Sequence, residues 1–174
     1  MQRILKRLDA VHRRLLQAIE PLDAEQFARR PKPAEWSVAE VVHHLCLVEQ
    51  YIAKELEHRL LQPPQHLKFQ YRLIPYSLLV GRRVRRVRSP KAVEPLNPPS
   101  KETVIENYNR VRDALKSFGQ EHGRKRLAQM VLKHPFLGDF NGVKAIAFVG
   151  YHEQRHYKQI QEIISELQRR TLQR

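Results

Sequence analysis

Apolar residues recur at every third or fourth position in four stretches of the chain, the period of a helix that buries one face. The first stretch covers roughly residues 2–20 and sets Ile4, Leu5, Leu8, Val11, Leu15, Leu16 and Ile19 on one stripe. Pro21 follows and closes it, because proline lacks the N–H that the helical ladder needs. The second, about 38–60, carries Val41, Leu45 and Val48 inward and opens on Ser37 with Glu40 three residues later. That spacing is a capping box, in which each side chain satisfies a backbone N–H of the helix start. Ser100 opens a third helix over about 101–121, with Val104, Tyr108, Val111, Leu115 and Phe118 inside and its end near Gly119 and Gly123. The fourth covers about 141–170 through Ile146, Val149, Ile160, Ile163, Ile164 and Leu167.

The connections are long. Residues 21–36 are proline-bearing and read as irregular, and residues 61–100 hold most of the prolines, with room for a short helix around 70–86. No segment shows the alternation of a strand, and no internal repeat is visible. The pattern predicts an all-α protein, a four-helix bundle with long connections, as one domain over residues 1–174.

Two histidines break the buried stripe of the last helix. His152 and His156 stand four residues apart, so their imidazoles project from one face, one above the other. His44 stands at the edge of the buried stripe of the second helix. On its own an H-x3-H pair is a weak signal, and two surface histidines are its ordinary explanation. Here the pair interrupts the seam that should face the core, where an unpartnered imidazole is costly. A divalent metal is a sufficient shared partner. Three histidines from two facing helices would leave one coordination position open, as catalytic sites do and closed structural sites do not. His43, beside His44, leaves the identity of the first ligand open by one residue. His12, His58, His66, His122 and His134 have no helical partner at ligand spacing and read as surface or loop residues. Glu153 lies about 100° round the helix from His152 and also reads as a surface residue.

Composition narrows the setting. A chain of 174 residues can bury a core, and 41% hydrophobic with 29% charged residues fits a soluble globular protein. No run of about eighteen apolar residues suggests a membrane span, and the basic, amphipathic N-terminus is not that of a signal peptide. The single cysteine, Cys46, excludes an intrachain disulfide and fits a reducing, cytoplasmic location. Buried free cysteine is usually inert packing. Thirty-two basic against 18 acidic residues give a formal charge of +14. Such a field attracts anions, whether nucleic acid, acidic lipid or a charged small substrate.

The residues Trp36-Ser37, Glu40, His44-Leu45 and the following Glu49 resemble the W-S-x-x-E-x-x-x-H-L signature of the DinB/YfiT-like superfamily. The segment from His134-Pro135 through Leu137-Gly138 to His152, His156 and Gln159-Ile160 resembles its final-helix signature. The two motifs occur in the family's order and separation, and the bundle pattern extends the likeness over nearly the whole chain. The resemblance implies a four-helix bundle that binds a divalent metal, often nickel or zinc, with manganese or iron as alternatives. Carried over residue by residue, the implied ligands are His44, His152 and His156. It further implies thiol S-transferase chemistry with low-molecular-weight thiols such as bacillithiol or mycothiol, isomerisation of a thiol adduct, or hydrolysis.

A metal's charge deprotonates a thiol that coordinates it and lowers the pKa of water, so one such site could serve S-transfer or hydrolysis. Glu49 and Glu40 are candidates to orient an imidazole through its second nitrogen, as metal-bound histidines require, although Glu40 is first the capping partner of Ser37. Tyr151 and Tyr157 read as packing residues, and Trp36 as a plug for the bundle end. The stretch Gly81–Arg88 carries Arg82, Arg83, Arg85, Arg86 and Arg88. It is a solvated connection, a recognition element for an anionic thiol, or a phosphate-binding element for nucleic acid. No nucleic-acid-binding motif accompanies it. A non-catalytic metal-binding bundle remains the other alternative, and a homodimer is compatible with either.

Overall fold

Long helices form where the apolar period predicts them. The computed structural model describes residues 1–72, 89–134 and 138–172. Helix α1 spans Gln2–Ile19, α3 Val38–Leu60, α5 Lys101–Leu127 and α6 Gly142–Leu172. Their starts obey local chemistry. Ser37 Oγ accepts from the Glu40 N–H while the Glu40 carboxylate accepts from the Ser37 N–H at 2.8 Å, completing the capping box. Ser100 accepts from the Thr103 N–H at 3.3 Å. In α5 the regular helix stops at Gly123, whose φ of 63° and ψ of 177° break the ladder, and one further turn follows to Leu127.

The connections hold more order than the sequence suggests. The segment 21–36 contains a short helix α2, Ala24–Ala28, opened by a capping box from Asp23 to Gln26. A single turn, α4, spans Phe69–Arg72, and a 3-10 turn spans Lys91–Val93; the rest of the expected 70–86 helix falls outside the described residues. The expectation of no strand is corrected. β1, Val131–His134, pairs antiparallel with β2, Gly138–Asn141, setting Leu132 opposite Phe140 and His134 opposite Gly138. Four residues per strand are too few for an alternation to register, and Gly-Asp-Phe-Asn has little strand character. The hairpin is held by its setting, with Leu132 and Phe140 buried against α6.

Among the described residues, two apolar clusters form the core. One gathers Leu5 and Leu8 of α1, Ile52 and Leu56 of α3, Leu115 and Leu127 of α5, and Ile146 and Val149 of α6. The other gathers Leu15 and Ile19 of α1, Val38, Val41, Val42, Leu45 and Cys46 of α3, Val104 and Tyr108 of α5, and Ile160, Ile163 and Leu167 of α6. The start of α1 thus meets the ends of α3 and α5 and the start of α6. α1 and α6 run parallel to each other and antiparallel to α3 and α5. Parallel neighbours need long connections, which accounts for the extended links the sequence carries.

A polar layer separates the two clusters. Arg112 of α5 is almost fully buried and donates from Nε to Glu49 at 3.0 Å, from Nη2 to Glu49 and to Glu153 at 2.8 Å, and from Nη1 to the Leu8 carbonyl at 2.9 Å. Tyr108 donates to Glu153 at 2.7 Å and His12 Nδ1 meets the same oxygen at 3.1 Å. All four long helices contribute. Two expectations fall here: Glu153 and His12 are buried, because the face of α6 at 100° from His152 looks between α1 and α5. Burial is the largest single influence on Arg112 and opposes its charge, but Glu49, Tyr108 and Glu153 together outweigh it and hold the guanidinium above its ordinary pKa.

Candidate metal centre

α3 and α6 cross so that His44, His152 and His156 converge, each offering a ring nitrogen within 4.8 Å of the others. The two nitrogens from α6, His152 Nε2 and His156 Nε2, lie 3.2 Å apart. Two imidazoles bound at about 2.05 Å to one tetrahedral ion stand about 3.3 Å apart, so this spacing suits a shared metal. Ring centroids are 5.0 Å from His44 to His156 and 5.2 Å from His44 to His152.

The orientation of the rings is fixed from behind. His44 Nδ1 donates to the Val93 carbonyl at 2.8 Å, leaving Nε2 as the acceptor on the side of the other histidines. His156 Nδ1 meets the Gln159 side-chain oxygen at 2.9 Å, one turn further along α6. Phe148 stacks on His152 with centroids 5.3 Å apart and planes 20° apart. Burial holds His152 well below its ordinary pKa, with further contributions from His156 and His44. Burial also lowers His44, against the Val93 carbonyl, which works the other way. Rings kept neutral near pH 7 can act as ligands.

The centre forms part of the wall of an open cavity of about 1210 Å³. Trp36, Val48, Tyr51, Ile52, Leu132, Phe140 and Phe148 give it an apolar side, and Lys32, Lys91, Lys133, Arg155 and Arg169 alternate with Glu35, Glu94, Glu162 and Glu166 elsewhere. Trp36 lies 5.1 Å from His44 and faces the cavity, where the sequence suggested a plug. His134, expected at the surface, stands half-buried in β1 against Phe140 and Phe148 and lines the same cavity. Burial brings it down to about 4.

The other sequence candidates fall elsewhere. Glu49 is committed to Arg112, and the Val93 carbonyl takes the orienting role imagined for it at His44. Glu40 caps α3 and receives Arg30 Nε at 2.9 Å. His43 lies outside the histidine cluster, its Nδ1 buried with no hydrogen-bond partner among the described residues. Cys46 is buried, and burial pushes its thiol up to about 11, which leaves it inert at neutral pH. Tyr151 lies under Arg7 and Tyr157 accepts from Gln161; neither lines the cavity. His122 packs against Phe118, while His58 and His66 are exposed as expected. Arg82, Arg83, Arg85, Arg86 and Arg88 lie outside the described residues. Sequence reasoning missed Val93, which no pattern could reveal, and the role of Gln159, which its place three residues after His156 could have suggested.

Comparison with known proteins agrees with this architecture. A sequence model of the DinB superfamily matches residues 7–160. The uncharacterized protein YuaE of Bacillus subtilis (strain 168) is 27% identical over 156 residues, covering 87% of this chain and 91% of YuaE. Among solved structures, the four-helix bundle protein TT2238 superposes with a TM-score of 0.62 at 22% identity, over 92% of this chain and 98% of its own. YfiT from Bacillus subtilis, described as a probable metal-dependent hydrolase with an unusual four-helix bundle topology, superposes with a TM-score of 0.65 at 14% identity, over 95% and 86%. At these identities the two structures speak for the fold. Among the described residues, no helix is long and apolar enough to cross a membrane.

Proposed function

This chain belongs to the DinB superfamily, and from that premise we propose that it is a metal-dependent enzyme acting on a small molecule at His44, His152 and His156. The observation that carries this reading is the convergence of three oriented imidazoles from two helices beside an open cavity. Three nitrogens with one side open suit nickel or zinc, and manganese or iron less well. Bound there, a divalent ion supplies positive charge that favours the deprotonated form of a thiol or water beside it.

The chain's own residues do the rest. Val93 and Gln159 hold two rings with Nε2 toward the centre, which removes the entropic cost of aligning them at each turnover. Trp36, Tyr51, Phe140 and Phe148 offer an apolar surface to the body of a substrate and displace water from it. Thiol transfer to an electrophilic carbon is the reaction this favours over hydrolysis, because the apolar wall offers the body of an organic electrophile a surface to bind that water does not need.

Elemental analysis of untagged wild type beside His152→Ala tests the metal. About one nickel or zinc per chain, lost in the variant, is expected; equal metal in both proteins would remove His152 from the site. Cysteine-derived thiols with a chromogenic aryl halide, run against p-nitrophenyl acetate, then separate transfer from hydrolysis. Tightly held metal with neither activity would point to a non-catalytic centre.

A further inference from the structure

The geometry points to Arg112 as the positioning residue of the histidine centre. By bonding Glu49 of α3 and Glu153 of α6 through one guanidinium, it fixes the rotation of the two helices that carry the three imidazoles. This inference rests on the metal reading above and deepens it.

Position along the bundle is the first support. Arg112, Glu49, Glu153 and His12 occupy the polar layer between the two apolar clusters. Glu153 adjoins His152 in the chain, and Glu49 stands five residues after His44, about 7.5 Å along the helix. The clamp and the centre therefore grip the same stretch of α3 and α6 from different faces. Glu153 is held on both oxygens, one by Arg112 at 2.8 Å and the other by Tyr108 and His12 at 2.7 and 3.1 Å. A further donation from Arg112 to the Leu8 carbonyl at 2.9 Å ties the guanidinium to α1.

Magnitude is the second support. A side-chain nitrogen lies roughly 6 Å from its helix axis, so a 10° rotation displaces it by about 1 Å. Metal sites tolerate deviations of about 0.2 Å. Apolar packing alone tolerates rearrangement, since hydrophobic residues of about the right size repack readily. A buried ion triad adds little stability over apolar side chains of similar volume. What Arg112 supplies that leucine or methionine could not is direction: a planar fork with fixed donor angles toward two carboxylates on two helices.

Two variants test this, with cobalt(II) and zinc(II) titrated into metal-free protein. Glu49→Leu combined with Arg112→Met and Glu153→Gln removes the triad without leaving a buried charge and keeps an acceptor for Tyr108 and His12. Arg112→Lys keeps the charge and loses the fork, and it decides the question should the triple variant not fold. Both variants are expected to give a wild-type far-UV spectrum and a cooperative melt, with cobalt affinity reduced about ten-fold or more. The visible d–d bands should change in position and intensity, which loss of stability alone would not cause. Wild-type affinity and bands in either folded variant would overturn the positioning role. Wild-type protein that takes up neither ion would overturn the metal reading itself.

Discussion

Replacing Arg112 alone by methionine leaves the Glu49 and Glu153 carboxylates buried without their cation. Removing one partner of a buried ion pair costs on the order of 3–5 kcal/mol, so urea unfolding of Arg112→Met should show a loss of that size. A loss under about 1 kcal/mol would mean that water or His12 replaces the guanidinium. Cys46 makes a contrasting case. Its thiol is buried, and burial pushes it up to about 11. Reaction of the folded protein with an aromatic disulfide reagent should therefore be slow until denaturant is added. Fast reaction in the native state would show that the α3 face opens readily.

At the scale of elements, helix starts and one close approach set the geometry. Gly142 opens α6 beside the hairpin, and a Cβ there would stand 2.9 Å from the Leu127 carbonyl oxygen and 3.0 Å from a Leu56 methyl. The backbone atom cannot give way, so Gly142→Ala should destabilise by about 1–3 kcal/mol, the cost of overpacking; an unchanged thermal midpoint would refute that contact. Ser37 caps the helix that carries His44. Ser37→Ala should cost about 1 kcal/mol and release Glu40 from the Ser37 side chain, with amide exchange faster over the first turn of α3. Exchange unchanged at Glu40 would show that Arg30 and the backbone bond suffice.

The pH response belongs to the whole molecule, since its causes are spread over three elements. Burial holds His44 and His152 below their ordinary value of 6.5, and His134 at about 4. Such groups bind fewer protons folded than unfolded, so stability rises with pH in that window and falls as pH drops from 6.5 toward 4. Metal-free protein should accordingly lose stability over that range, in thermal melts at constant ionic strength. Zinc(II) added at pH 7 should raise the melting temperature, because it binds the folded state preferentially; as the pH falls, protons compete for the same nitrogens and the increment shrinks. A midpoint flat from pH 7 to 4.5 would contradict the burial of these rings.

Much of this was readable from one dimension. Apolar period and caps located the four long helices within a few residues, because a buried stripe and an N-cap are local facts. The spacing of His152 and His156 put two imidazoles on one face for the same reason. His44 was joined to them from its place at the edge of its own buried stripe and from a motif resemblance, and that expectation needed the fold to become geometry. What local chemistry could not decide is what lies behind each face. Glu153 and His12 looked solvent-facing because sequence gives their angle on a helix but not the neighbour that fills that angle. The hairpin was invisible because its strands are stabilised by α6 rather than by their own alternation. Glu49 went to Arg112, 63 residues away in the chain, and the orienting bond on His44 came from the Val93 carbonyl, a backbone group that every residue carries. Sequence determined which residues could do chemistry; the crossing of α3 and α6 decided which of them share a site, because distance through space depends on packing and distance along the chain does not.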